Sequence, residues 1–166
     1  MKKAIFLDRD GTINIEKGYL YKIADFEFID GMPLAIQRWN KLGFLVIVVT
    51  NQAGIARGYY KEKDVEILHM YINEELSKYN AHIDKFYYCP HHPTEGKGKY
   101  LKDCNCRKPK TGLFERAIEE NDIDISESYL FGDKNSDLEA GKKLGIKSFL
   151  VDGKFFDVDS YNLFNI

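Results

Sequence analysis

"AIFLDRDGT", residues 4–12, is a short apolar run that stops at two aspartates, Asp8 and Asp10, one residue apart. Neighbouring carboxylates repel unless a cation or a proton holds them. A strand that ends this way predicts positive charge close by, and the rest of the chain must supply it. Four other stretches have the same short, apolar, β-branched or aromatic character: "FLVIVVT" (44–50), "KFYYC" (85–89), "SYLFGD" (128–133) and "KSFLVD" (147–152). Runs apolar on both faces belong to a parallel sheet covered by helices. Helix patterns fall between them at about 31–42, 61–80, 111–121 and 135–145, the last stopping at Gly145. The alternation predicts a doubly wound, Rossmann-like α/β fold with a mostly parallel sheet of five or six strands.

The 166 residues fit one domain, residues 1–166, with no room for a separate cap. Two connections, 11–30 and 90–110, are long enough to predict a job beyond joining elements. A net charge of −2 and a pI near 6.1 give no reason to expect nucleic acid or an anionic membrane as partner. No apolar run approaches the ~20 residues of a membrane span, and "MKKAIFLDRD" is too soon interrupted by acids to read as a signal peptide. The expectation is a cytoplasmic monomer.

Ligands of open α/β sheets bind outside the carboxyl ends of the strands. Those ends carry Asp8 and Asp10, then Thr50 and Asn51, then Gly132, Asp133 and Lys134, with Arg107 and Lys108 in the loop after the third strand. Carboxylates with other oxygen donors suit Mg²⁺, which keeps positions for phosphate oxygens and water. One aspartate can attack phosphorus, and a second acid two residues on can protonate the leaving oxygen and then activate water. Any one of these acids could instead cap a helix or sit in a solvated turn. "DRDGT", "VVTNQ", "RKP" and "GDKNSD" together, each at the expected strand end or loop, are harder to explain that way.

The three cysteines are an odd number, all within residues 89–106. "CPHHP" and "CNC" give Cys89, His91, Cys104 and Cys106, three thiolates and an imidazole with the spacing of a structural Zn²⁺ site. His92 is the alternative to His91. His69 and His82 read as ordinary core or surface residues. The polar loop between the ligand pairs has little core of its own, so a metal would order it, and it runs directly into Arg107-Lys108.

"FLDRDGT", Thr50 in "VVTNQ", Lys108 in "CRKP" and Asp133 in "GDKNSD" resemble, in order, the four motifs of the haloacid dehalogenase (HAD) phosphatase superfamily. The resemblance implies Asp8 as nucleophile and Asp10 as general acid/base. It implies Thr50 and Lys108 as phosphoryl ligands, and Mg²⁺ on Asp8, Asp133 and the Asp10 backbone carbonyl. Asp137 is open between supporting the site and lying on a helix surface. The zinc loop resembles the capless branch that acts on heptose bisphosphates or histidinol phosphate. "GIARG" (54–58) and "GYL…FEFIDG" favour the heptose side, with histidinol phosphate as the alternative substrate.

That branch implies removal of the phosphate on carbon 7 of a small sugar bisphosphate through an aspartyl phosphate. Substrate contacts would come from Glu16, Lys17, Gly18, Tyr19, Asn51, Gln52, Ala53, Arg107 and Lys134. Ala53 stands where relatives can carry serine, which weakens that contact's transfer. Arg107 offers a planar fork for the second phosphate, whereas Arg57 reads better as a structural ion pair. The tail after Val151 suggests no role. Rival classes are a phospho-accepting signalling domain, which would lack use for Asp10, and a zinc-stapled binding module.

Overall fold

A computed structural model describes residues 1–161 and 163. Five parallel strands, β1 (Ala4–Leu7), β2 (Leu45–Asn51), β3 (Lys85–Cys89), β4 (Tyr129–Gly132) and β5 (Lys147–Leu150), form one sheet in the order β3-β2-β1-β4-β5. Register runs from Ile5 opposite Val46 on one side to Ile5 opposite Tyr129 on the other. Chain order therefore reverses beside β1. The crevice at that reversal is the place where such sheets bind ligands.

Period-two alternation divides the core between the two faces. Ile5, Leu7, Val46, Val48 and Phe131 pack beneath α1 (Met32–Lys41) and α3 (Glu62–Ser77), around the fully buried Trp39, Leu68 and Ile72. Ala4, Phe6, Ile47, Val49 and Leu130 face α4 (Gly112–Asn121) and α5 (Asn135–Leu144) through Phe114, Ala117 and Ala140. Pro33 sits in the first turn of α1, where its missing N–H costs nothing. Gly145 ends α5 in the left-handed conformation.

The strand and helix expectations agree with these elements to within a few residues. A one-turn helix, α2 (Ala53–Ala56), was not legible. The tail, to which the sequence alone assigns no role, packs on the core. Phe155 bridges to Asp30, while Phe156 lies over Trp39 at 5.5 Å and Phe131 at 5.3 Å, closing the first core. Its last residues, 164–166, and residue 162 lie outside the described ones. Among the described residues no helix is long and apolar enough to cross a membrane.

Candidate active site

Asp8 follows β1 directly, Thr50 and Asn51 end β2, and Asp133 follows β4. The parallel sheet thus brings residues more than a hundred positions apart to one edge. Lys108 completes the group from the loop after β3. Its ammonium, enclosed by protein, donates to Asp8 Oδ1 at 2.9 Å, Asp137 Oδ1 at 2.6 Å and the Val49 carbonyl at 2.7 Å. Asn51 fixes the Lys108 backbone from both sides, accepting from its N–H at 3.0 Å and donating to its carbonyl at 3.1 Å.

Asp137 is buried, which decides the question its position in α5 left open. One oxygen holds Lys108 and the other accepts from the Lys134 N–H at 3.2 Å, capping the helix. Gly132 makes this possible, because a Cβ there would overlap the Asp137 side chain. Gly11 has an equivalent duty. Its φ of +83° suits glycine, and a Cβ would overlap the Asp133 carboxylate.

Asp8, Asp133 and Asp137 each offer a carboxylate oxygen within 4.8 Å of the others, with one ammonium among them. One positive charge cannot balance three negative ones. Burial pushes the Asp8 carboxyl up, but the Lys108 charge and hydrogen bonds outweigh it and hold Asp8 below its ordinary value. Burial and the facing Asp8 push Asp133 up to about 7. Asp133 Oδ1 is buried with no hydrogen-bond partner among the described residues. Asp137 is committed to Lys108 and Lys134. Asp8 and Asp133 are therefore the pair left to hold a divalent cation, and two carboxylates are what Mg²⁺ ordinarily takes.

Asp10 is held apart from this cluster. Its carboxylate accepts from Arg9 Nη2 at 3.0 and 3.1 Å, from Asn14 Nδ2 at 3.0 Å and from Gln52 Nε2 at 3.0 Å. Arg9, fully buried, is itself fixed by the Leu20 carbonyl at 2.8 Å and by His69 Nε2 at 3.3 Å. His69 is a core residue stacked on Phe86. Burial and the Arg9 charge hold it well below its ordinary pKa, so it is neutral and accepts. Gln52 also donates to Thr50 Oγ1 at 3.0 Å and accepts from Tyr60 at 2.6 Å. The reading of the sequence overlooked Arg9 and Tyr60.

An open cleft of about 570 Å³ lies over this edge. Of the expected substrate contacts, Glu16, Gly18, Tyr19, Asn51, Gln52, Ala53, Arg107 and Lys134 line it. Lys17 does not, because its ammonium turns away to the Asp25 carbonyl at 2.8 Å. Arg57 lines the cleft too, and its pairing with Glu95 is loose at 3.9 Å.

Beside the cleft, Cys89, Cys104 and Cys106 have sulfurs 3.0–3.5 Å apart, and His91 Nδ1 lies 3.4 Å from Cys106 and 3.8 Å from Cys89. Four atoms about one tetrahedral ion with ~2.3 Å Zn–S bonds would sit at slightly greater separations, so the set is able to close on a metal. His92 is excluded from it. Its Nδ1 accepts from the Thr94 and Glu95 N–H groups at 3.2 and 2.9 Å. His82 pairs with Asp84 at 3.0 Å.

Comparison with known proteins agrees with this geometry. The HAD-hydrolase-like family model matches residues 105–163. D-glycero-beta-D-manno-heptose-1,7-bisphosphate 7-phosphatase of Pasteurella multocida is 51% identical over 151 residues, 91% of this chain and 82% of that protein. D-glycero-alpha-D-manno-heptose-1,7-bisphosphate 7-phosphatase of Campylobacter jejuni is 44% identical over 160 residues, 93% of this chain and 88% of that one. Among solved structures, D,D-heptose 1,7-bisphosphate phosphatase from B. bronchiseptica, complexed with magnesium and phosphate, has a TM-score of 0.80. It is 30% identical, covering 89% of this chain and 79% of that one.

Proposed function

The chain belongs to the D-glycero-D-manno-heptose-1,7-bisphosphate 7-phosphatase family of HAD-like hydrolases, and on that premise we propose that it removes the phosphate on carbon 7 of heptose 1,7-bisphosphate, releasing heptose 1-phosphate. One observation carries the reading at the level of chemistry: Lys108 is locked against Asp8 while Asp133 Oδ1 is left without a partner. A cation there satisfies Asp133, and the ammonium keeps Asp8 ionised for attack.

Asp8 is the nucleophile. Lys108 keeps its carboxylate ionised, so that an oxygen can attack phosphorus and form an aspartyl phosphate as the sugar oxygen leaves. Asp10, aimed by Arg9, Asn14 and Gln52, gives a proton to that leaving oxygen. It then takes one from the water that cleaves the acyl phosphate. Thr50 holds the transferring oxygens together with Lys108, which turns its Asp8 bond to them. Asp8, Asp133 and the Asp10 backbone carbonyl would hold Mg²⁺, which when bound spreads the negative charge of the phosphoryl group.

Cys89, His91, Cys104 and Cys106 would hold a structural Zn²⁺ that staples the loop leading into Arg107 and Lys108. Arg107 supports the far end of the substrate. In this reading residues 1–166 act as one domain, in the cytoplasm, with cysteines spent on metal rather than a disulfide.

The test is phosphate release, with Mg²⁺, from both anomers of heptose 1,7-bisphosphate and from histidinol phosphate. The expected result is a kcat/KM at least ~100-fold higher on a heptose bisphosphate, lost on Asp8→Asn. A preference for histidinol phosphate, or turnover surviving Asp8→Asn, refutes the reading.

A further inference from the structure

Arg57 is underemployed as half of an ion pair. Its contact with Glu95, at 3.9 Å, is at the limit of such pairs, and both side chains are partly exposed. A pair of that kind contributes little to stability. Meanwhile Arg57 Nε and Arg107 Nη1 are buried without a hydrogen-bond partner among the described residues. Buried guanidinium donors without acceptors are costly and call for an anion.

Position adds to this. Asp8, Asp10, Thr50 and Lys108 line the small inner pocket where phosphoryl transfer occurs, and Arg57, Arg107 and His92 do not. Those three line the wider cleft, and Arg57 also reaches the groove beyond it. His92 adds a donor. Because its Nδ1 accepts two backbone N–H groups, the ring hydrogen is on Nε2. The Arg57 guanidinium lies 5.7 Å from the Tyr19 ring centroid, and Tyr19 is braced edge-on by Tyr59 at 4.9 Å. The cation is thus presented by an aromatic support at the outer end of the site.

Building on the heptose-bisphosphate reading, we propose that Arg57 and His92 join Arg107 in receiving the substrate's second phosphate, the one that is not hydrolysed, and that Glu95 is the anion this phosphate displaces from Arg57. Arg57 is then a determinant of specificity for a doubly phosphorylated sugar. It acts on binding at the remote end and takes no part in the chemical step.

The experiment compares kcat/KM for heptose 1,7-bisphosphate and heptose 7-phosphate, which lacks the second phosphate, in wild type, Arg57→Gln, His92→Gln and Glu95→Gln. Arg57→Gln should lower kcat/KM on the bisphosphate by ~10–100-fold, through KM, and by at least tenfold more than on the monophosphate. His92→Gln should show the same imbalance, less strongly. Glu95→Gln should lower KM for the bisphosphate. Equal losses on both substrates would assign Arg57 a structural role and overturn the proposal, as would no loss on either. Wild-type protein that turns over neither sugar faster than a simple phosphate ester would refute the parent reading instead.

Discussion

Replacing Lys108 by methionine isolates the electrostatics of the site, because methionine fills the lysine's path without its charge. The substitution leaves the Asp8 and Asp137 carboxylates and the Val49 carbonyl facing one another without their common donor. Stranding half of a buried ion pair costs about 3–5 kcal/mol. The folded protein can limit that cost by protonating a carboxyl. Each unit of pKa is worth about 1.4 kcal/mol, so neutralising one ordinary carboxyl at pH 7.5 costs about 5 kcal/mol and at pH 5.5 only about 2 kcal/mol.

The sign follows. In wild type Asp8 lies below its ordinary pKa, so its stabilising effect is fully present above the unfolded value and is lost only in stronger acid. Lys108 is burdened by burial, yet Asp8 and Asp137 raise it, so it is charged throughout this range. In Lys108→Met a carboxyl is raised instead, and folding then binds a proton, which acid favours. The penalty should be about 4 kcal/mol at pH 7.5 and narrow by about 2 kcal/mol at pH 5.5. Urea denaturation in magnesium-free buffer, followed by the fluorescence of Trp39, the sole tryptophan and fully buried, reads both. A penalty below about 1 kcal/mol, or one equal at the two pH values, refutes this account of the lysine.

Asp10→Asn should reduce turnover by ~10²–10⁴-fold. Because Arg9 has no other ion-pair partner among the described residues, it should also lower the urea midpoint; turnover within tenfold of wild type removes the acid/base role. Gly11→Ala should abolish most activity and cost about 1–3 kcal/mol, since the new Cβ meets the Asp133 carboxylate at a positive φ; a fully active variant would show that Asp133 is free to move. Protein purified without chelator should contain about one zinc per chain, and Cys104→Ser should lose zinc, melt at lower temperature and turn over more slowly. Metal analysis, calorimetry and phosphate release check the three effects, and zinc-free protein of unchanged stability overturns the structural role.

The strands and their order of use were legible because a parallel sheet writes itself in unbroken apolar runs, and because its topology fixes which strand ends meet. Asp8, Thr50 and Asp133 could therefore be gathered on one edge without coordinates. Arg9 could not. A guanidinium between two aspartates reads as a solvated charge, and what buries it is His69, which no local pattern links to residue 9. Asp137 stayed open between two readings for a related reason. Helical periodicity puts a first-turn acid near solvent, whereas Gly132 opens room for it to fold under the turn. The four-residue α2 is too short for any period to register.

These omissions share a physical cause, and it bears on how the site works. Sequence patterns report what faces water and what faces the core. Arg9 and Asp137 are charged groups buried by their partners, whose cost is repaid only when every partner is in place. Lys108 is held at its backbone by Asn51 from β2 and at its ammonium by Asp8 after β1 and Asp137 of α5, and it follows Cys106 of the cysteine cluster by two residues. Asp10 is held by Arg9, which is in turn held from α3 through His69. The lysine and the second aspartate share the end of β2, where Asn51 holds one and Gln52 the other, but Arg9 and His69 serve Asp10 alone. Loosening the cysteine cluster should therefore disturb Lys108 and phosphoryl binding well before it disturbs the aim of Asp10.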